Sequence, residues 1–172
     1  MLLPIRDLIS KGHPQPIQTR IAASDLHPVR PEWVEAGPLD VDITAHPAAD
    51  SVKLSGKLEA DVVLACSRCL THFAHKLDIP YEETLRWSQS GEPASEDGDE
   101  EEDVRVVSDD KVELNPLFEE QLMLALPFVP LCRTDCAGLC PECGINKNEQ
   151  TCDCTQDNVD PRLAGLKQFF ET

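Results

Sequence analysis

A chain of 172 residues with 41% hydrophobic but only 5% aromatic side chains can bury one sizeable core, built mainly from Leu, Val, Ile and Ala. Its formal net charge of -17 and pI near 4.5 argue against non-specific nucleic-acid binding, which Lys and Arg drive, and favour a basic partner protein. The excess is uneven, -3 over residues 1–90 and -14 over residues 91–172.

Residues 1–37 are rich in proline, which breaks regular structure and leaves room for short strands at Leu2–Asp7 and Ile17–Ala22. Trp33 reads as a packing anchor. The β signal is clearest over residues 39–87. Leu39, Val41, Ile43 and Ala45 alternate with polar residues, and Val52, Leu54, Leu58, Ala60, Val62 and Leu64 hold even positions against a wet odd face. Gly56 interrupts this pattern and marks an expected bulge. After Cys66-Ser-Arg-Cys69 the alternation resumes at Phe73, Leu77, Ile79 and Tyr81, which predicts an antiparallel hairpin with both cysteines at its tip. His72 and His75 are expected on the polar face.

Residues 92–103 hold eight acids, no base and no large apolar side chain, so the stretch 88–103 reads as a solvated, disordered acidic loop. Val104–Val107 and Lys111–Leu114 predict two short strands across a Ser108-Asp109-Asp110 turn. A helix is expected over 116–126, capped by Asn115 and with Leu117, Phe118, Leu122, Ala125 and Leu126 on its apolar face. Pro127 ends it. Asp160-Pro161 opens a last amphipathic helix carrying Leu163, Leu166, Phe169 and Phe170.

Six of the eight cysteines lie between 132 and 154. Cys140-Pro-Glu-Cys143-Gly144 has the form of a zinc knuckle, in which Pro stiffens the turn and Gly tolerates positive φ. Cys152 and Cys154 follow within reach, and four thiolates close a tetrahedral structural zinc site. Cys140, Cys143, Cys152 and Cys154 are therefore one expected set. Cys66, Cys69, Cys132 and Cys136 remain as a second, which would clasp the hairpin tip to the segment after the helix. Exchange of Cys136 with Cys140 or Cys152 stays open, as do a single occupied site, disulfides and an iron–sulfur cluster. With no signal peptide or membrane-length apolar run in view, a reducing cytoplasm is expected, where patterned cysteines bind metal more often than they form disulfides. A catalytic zinc would need an open position and a nearby His or carboxylate. No nucleophile elbow, phosphate-binding Gly-rich loop or HExxH is present.

The strand into Cys66-Ser-Arg-Cys69, the acidic loop, the run K-V-E-L-N-P-L-F-E-E-Q-L-M-L-A-L-P-F-V-P-L-C ending at Cys132, then G-L-C-P-E-C-G-I-N, C-D-C and D-P-R-L-A-G-L together resemble the bacterial YceD family of large ribosomal RNA subunit accumulation proteins. The resemblance covers roughly residues 38–170. It implies a cytoplasmic factor for large-subunit ribosomal RNA accumulation or ribosome assembly. It also implies that Cys66 and Cys69 pair with Cys132 and Cys136, the other four cysteines being an addition.

The expected fold is α+β: a mainly antiparallel sheet with one packed helix, a C-terminal helix and a cysteine-rich zinc-knuckle segment. Residues 1–131 would form the β domain, with helix 116–126 and acidic loop 88–103. Residues 132–172 would form the zinc segment and C-terminal helix, packed on the same domain. The expected function is non-enzymatic, with structural Zn2+ in two sites and no small-molecule substrate or membrane. The partner would be a ribosomal protein or a large-subunit assembly intermediate. The alternative is a zinc-ribbon module touching precursor ribosomal RNA through Arg68 and Arg133.

Overall fold

The structure is a computed structural model that describes residues 1–26, 33–88 and 104–154. A five-stranded sheet in the order β2-β3-β4-β5-β6 forms one layer. Its strands are β2 (Gln15–Ile21), β3 (Trp33–Pro47), β4 (Ser51–Ala65), β5 (His72–Trp87) and β6 (Val104–Val107). Helices α1 (Ile5–Lys11) and α2 (Asn115–Ala125) provide the second layer, α1 against β3 and β4 and α2 against β5. A two-stranded ribbon of β1 (Leu2–Leu3) and β7 (Val112–Glu113) stands apart from the main sheet. This is an α+β arrangement of two layers around one core.

The alternation read from the sequence is the core face. Leu39, Val41, Ile43 and Ala45 on β3, the six even apolar residues of β4, and Leu77, Ile79, Tyr81 and Leu85 on β5 are all buried. The register lays them in rows across the sheet, Leu39 beside Ala60 beside Leu77 and Val41 beside Leu58 beside Ile79. Trp33 joins the same core. The opposite face carries cross-strand ion pairs such as Arg20–Asp40 and Lys76–Glu59. Each such exposed pair contributes little, but together they suit the wet side of a sheet.

Several expectations are corrected. The Leu2–Asp7 segment is a strand only at Leu2–Leu3; α1 begins at Ile5. Pro4 cannot extend the ladder, Ile5 and Leu8 share one buried face, and Gly12 ends the helix at φ 64, its N–H donating to the Leu8 carbonyl. Seven residues are too few for helical periodicity to stand out in sequence. Gly56 is not at a bulge, for its pairing with Ile43 and Tyr81 is in register. The register shifts of β3 and β4 fall between Trp33 and Glu35 and between Ala36 and Leu39. Gly56 is instead a point of close approach: a Cβ there would stand 2.2 Å from the Asp42 carbonyl oxygen.

The two short strands near the acidic stretch are not partners across a turn. β6 pairs with β5 in parallel, Thr84 beside Val104 through Trp87 beside Val107, while β7 pairs with β1. A parallel pairing needs a crossover of about a dozen residues or more, and the acidic stretch has that length. Hydrophobic patterning shows that a strand exists but not which neighbour it takes. At α2 the cap position is held by Leu114 without a side-chain bond, and the Asn115 Oδ1 accepts from the Met1 amino group at 2.8 Å. Leu117, Phe118, Leu122 and Leu126 are buried, but Ala125 is exposed. Leu126 is extended, as the residue before a proline tends to be. Phe118 meets Tyr81 edge to face at 5.3 Å between ring centres. The disorder read for the acidic loop, Ser88 apart, and the helix beginning at Asp160-Pro161 lie outside the described residues. Among the described residues no helix is long and apolar enough to cross a membrane.

Candidate metal centres

The β4–β5 hairpin turns sharply at Cys66-Ser67-Arg68-Cys69-Leu70. The Leu70 N–H donates to the Cys66 carbonyl at 2.9 Å and the Cys66 N–H to the Thr71 carbonyl at 3.0 Å. Leu70 adopts φ 59, an unusual conformation for a branched side chain. This tight turn aims both sulfurs inward, where Cys66 and Cys69 are buried. The chain leaving α2 is stitched onto the tip. The Ser67 N–H donates to the Pro130 carbonyl at 2.8 Å, Arg68 Nη1 to the Cys136 carbonyl at 2.9 Å, and the Leu139 N–H to the Arg68 carbonyl at 3.0 Å. Gly138, at φ 74, lies so close that a Cβ would meet the Arg68 carbonyl oxygen at 3.1 Å.

The result brings Cys66, Cys69, Cys132 and Cys136 together, with all four sulfurs within 4.8 Å of one another. Cys66 and Cys136 sulfurs are 3.8 Å apart, and those of Cys69 and Cys132 3.7 Å. A tetrahedron with Zn–S bonds of about 2.3 Å has edges of about 3.8 Å. A disulfide would need about 2.05 Å, and all eight cysteines are free. Sulfurs this close converge on one point, whereas a multi-iron cluster spreads its thiolates over several metal atoms.

The second set is Cys140, Cys143, Cys152 and Cys154, again within 4.8 Å. Here the knuckle is folded by the Cys140 N–H to Ile145 carbonyl bond at 2.8 Å and the Gly144 N–H to Cys140 carbonyl bond at 2.9 Å, with Gly144 at φ 74. Cys140 is buried, Cys152 half-buried, and Cys143 and Cys154 are exposed. The two sets thus differ: the first lies under the hairpin tip, the second faces solvent.

Asn148, which the sequence reading passed over, ties the sets together. Its Oδ1 accepts from the Ala137 N–H at 2.8 Å and from Arg133 Nη2 at 2.6 Å, while its Nδ2 donates to the Cys136 sulfur at 3.3 Å. Its neighbour Asn146 accepts from the Asn148 backbone and side chain. Two asparagines in a cysteine-rich loop were the available signal, since short amides readily satisfy turn backbone. Arg68 and Arg133, singled out for RNA, both hydrogen-bond within this assembly. His72 and His75 belong to neither set. His75 shares the Phe73 side of β5, its ring 6.5 Å away and edge-on, so the expectation of a polar-face position fails for it.

The electrostatics of the sulfurs are uneven within each set. Burial pushes the Cys66 thiol up, but backbone N–H groups of Cys132, Arg68 and Cys69 outweigh it and bring it down to about 6. The N–H groups of Cys143 and Glu142 bring Cys140 down to about 6. Burial, then the neighbouring sulfurs, push Cys132 up to about 12. The Cys143 sulfur first, then burial, pushes Cys154 up to about 12. Each set therefore has one sulfur held as thiolate by aligned backbone dipoles and another that resists ionising beside it. A cation at the centre removes that repulsion, and this is the behaviour of a cation-binding donor set. Both sets could hold a metal ion.

The family model described as large ribosomal RNA subunit accumulation protein YceD matches residues 54–170, which include the hairpin tip and both cysteine sets. This chain belongs to the YceD family. The chain is also similar to uncharacterized protein Rv2926c of Mycobacterium tuberculosis, 31% identical over 132 residues, 77% of this chain and 62% of the relative. Uncharacterized protein YlbN of Bacillus subtilis is 25% identical over 149 residues, 86% of this chain and 79% of the relative. The chain spans about three fifths of the length of the mycobacterial relatives it matches. No solved structure matches it significantly.

Proposed function

We propose that this YceD-family protein is a non-catalytic, cytoplasmic factor for large-subunit ribosomal RNA accumulation, acting in ribosome assembly as an adaptor for a basic partner. The observation that carries this reading is the pairing of the family match with two closed sets of four sulfurs. Zn2+ suits an all-thiolate tetrahedral donor set. Cys66, Cys69, Cys132 and Cys136 would hold one ion and Cys140, Cys143, Cys152 and Cys154 the other. A bound ion would supply a crosslink there, with four protein sulfurs available to it in each set. The chain's own groups do the rest. Arg68 and Asn148 orient the segment that carries Cys136, and the hairpin tip is joined to the chain leaving α2. The partner would be a ribosomal protein or a large-subunit assembly intermediate, because a net charge of -17 repels phosphate and attracts Lys and Arg.

The test is recovery of large-subunit components on the purified, metal-loaded protein at ~100 mM salt, beside filter binding of protein-free precursor RNA. The expected result is recovery of large-subunit assembly components and no binding of bare RNA. Tight binding of bare RNA with no protein partner would overturn the adaptor reading.

A further inference from the structure

Asn148 stands in the loop 144–151, bounded by Cys143 and Cys152 of the solvent-facing knuckle set. Every hydrogen-bonding position of its amide is used. Nδ2 donates to the Cys136 sulfur at 3.3 Å and to Asn146 Oδ1 at 2.7 Å. Oδ1 accepts from the Ala137 N–H at 2.8 Å and from Arg133 Nη2 at 2.6 Å. A primary amide has two protons to give and two acceptor positions, so none is left over. Arg133 follows Cys132 in the chain and Ala137 follows Cys136. One side chain of the knuckle loop thus grips the residue after each C-terminal member of the buried set, and one of that set's sulfurs directly.

Backbone bonds run the same way. The Lys147 N–H donates to the Gly138 carbonyl at 2.9 Å, and Leu139 bridges Asn146. The Leu139 N–H continues the path to the Arg68 carbonyl at the hairpin tip. An ion held by the knuckle set would tie together the two ends of loop 144–151. That closure removes freedom which Asn148 must otherwise lose when it engages the buried set. Four thiolates around one dication keep an excess of negative charge on the sulfurs, and an N–H donor stabilises it. Groups that hydrogen-bond metal ligands in this manner raise metal affinity about 10–100-fold.

We propose that Asn148 couples the two sulfur sets, so that an ion in the knuckle set tightens the hold of Cys66, Cys69, Cys132 and Cys136 on theirs. Asn148 is a positioning residue for the buried centre, and the exposed centre sets it in place. The solvent-facing set therefore governs how firmly the hairpin tip is clasped to the chain leaving α2. The proposal rests on the reading above that both sets hold an ion, and adds that they do not fill independently.

The probe is Cd2+ on the full chain, followed by cadmium NMR, in which each occupied set gives its own resonance. Cys143→Ser removes the knuckle resonance and so identifies the other. Competition with a chelator, read on each resonance, gives the affinity of each set. The expected result is about fivefold weaker binding at the buried set in Cys143→Ser. Asn148→Asp keeps an oxygen facing Ala137 and Arg133 but loses the proton given to Cys136, and should weaken the buried set about tenfold. It should also shift the buried-set resonance and leave the knuckle resonance in place, which verifies that the loop is folded. Asn148→Ala should weaken the buried set at least as much. Cys143→Ser combined with Asn148→Asp should be no weaker than Asn148→Asp alone, because one side chain carries the coupling. An unchanged buried-set affinity in Cys143→Ser, or full additivity in the double variant, would overturn the coupling while leaving two ions per chain. Loss of the knuckle resonance in both Asn148 variants would make the residue a loop-folding group only and overturn it equally. Fewer than two resonances in the parent would overturn the two-ion reading, and the coupling with it.

Discussion

Arg68 at the hairpin tip donates to the backbone carbonyl of Cys136 at 2.9 Å, joining two segments 68 positions apart. The bond fixes the backbone that presents the Cys136 sulfur, and the Arg68 carbonyl is held in turn by the Leu139 N–H. The arginine between the two cysteines of the tip is thus a structural brace. Its partial exposure limits the energy involved.

Arg68→Ala should cost about 1 kcal/mol of stability, the value of one hydrogen bond whose acceptor can still reach water. Urea unfolding of the metal-loaded protein measures this. Arg68→Lys, which retains a donor, should recover part of it. An unchanged midpoint in Arg68→Ala would remove the brace from the account.

The parent should carry two equivalents of metal per chain, and Cys66→Ser and Cys143→Ser one each, read by elemental analysis of protein purified under reducing conditions. The two variants should differ in stability. Cys66 is fully buried where the tip meets the chain leaving α2, so its loss should cost at least about 3 kcal/mol. Cys143 is exposed, in a loop closed locally, and its loss should cost less than about 1 kcal/mol of global stability.

Metal should leave the two sets in order. Cys143 and Cys154 face solvent, whereas Cys66, Cys69 and Cys136 are buried. A chromogenic chelator should therefore remove one equivalent quickly and the second slowly, with Cys143→Ser showing the slow phase alone. Release of both equivalents in a single phase would contradict this difference in burial.

Gly56→Ala should destabilise the fold by about 2–3 kcal/mol. The added Cβ would stand 2.2 Å from the Asp42 carbonyl oxygen and 2.6 Å from the Ile43 Cα, both rigid backbone of β3. Chemical denaturation measures the loss. A neutral substitution would mean that β3 and β4 can part there at little cost.

What the amino-acid order determined by itself was local and periodic. Alternation over Leu39–Ala45 and Val52–Leu64 assigned the core face residue by residue, because side chains on a strand change sides at every step. The Cys140-Pro-Glu-Cys143-Gly144 knuckle was legible because its turn closes within five residues. What only the tertiary structure decided was every choice among distant partners. The strand pattern of Val104–Val107 fitted a hairpin as well as the parallel pairing it takes with β5. The seven residues of α1 acquire their meaning from burial of Ile5 and Leu8. Asn146 and Asn148 mark a turn in the sequence, but only folding sets Asn148 between Ala137, Arg133 and the Cys136 sulfur. The physical reason is shared: backbone periodicity and turn chemistry act between near neighbours, while pairing across tens of residues is selected by the packing of the whole core.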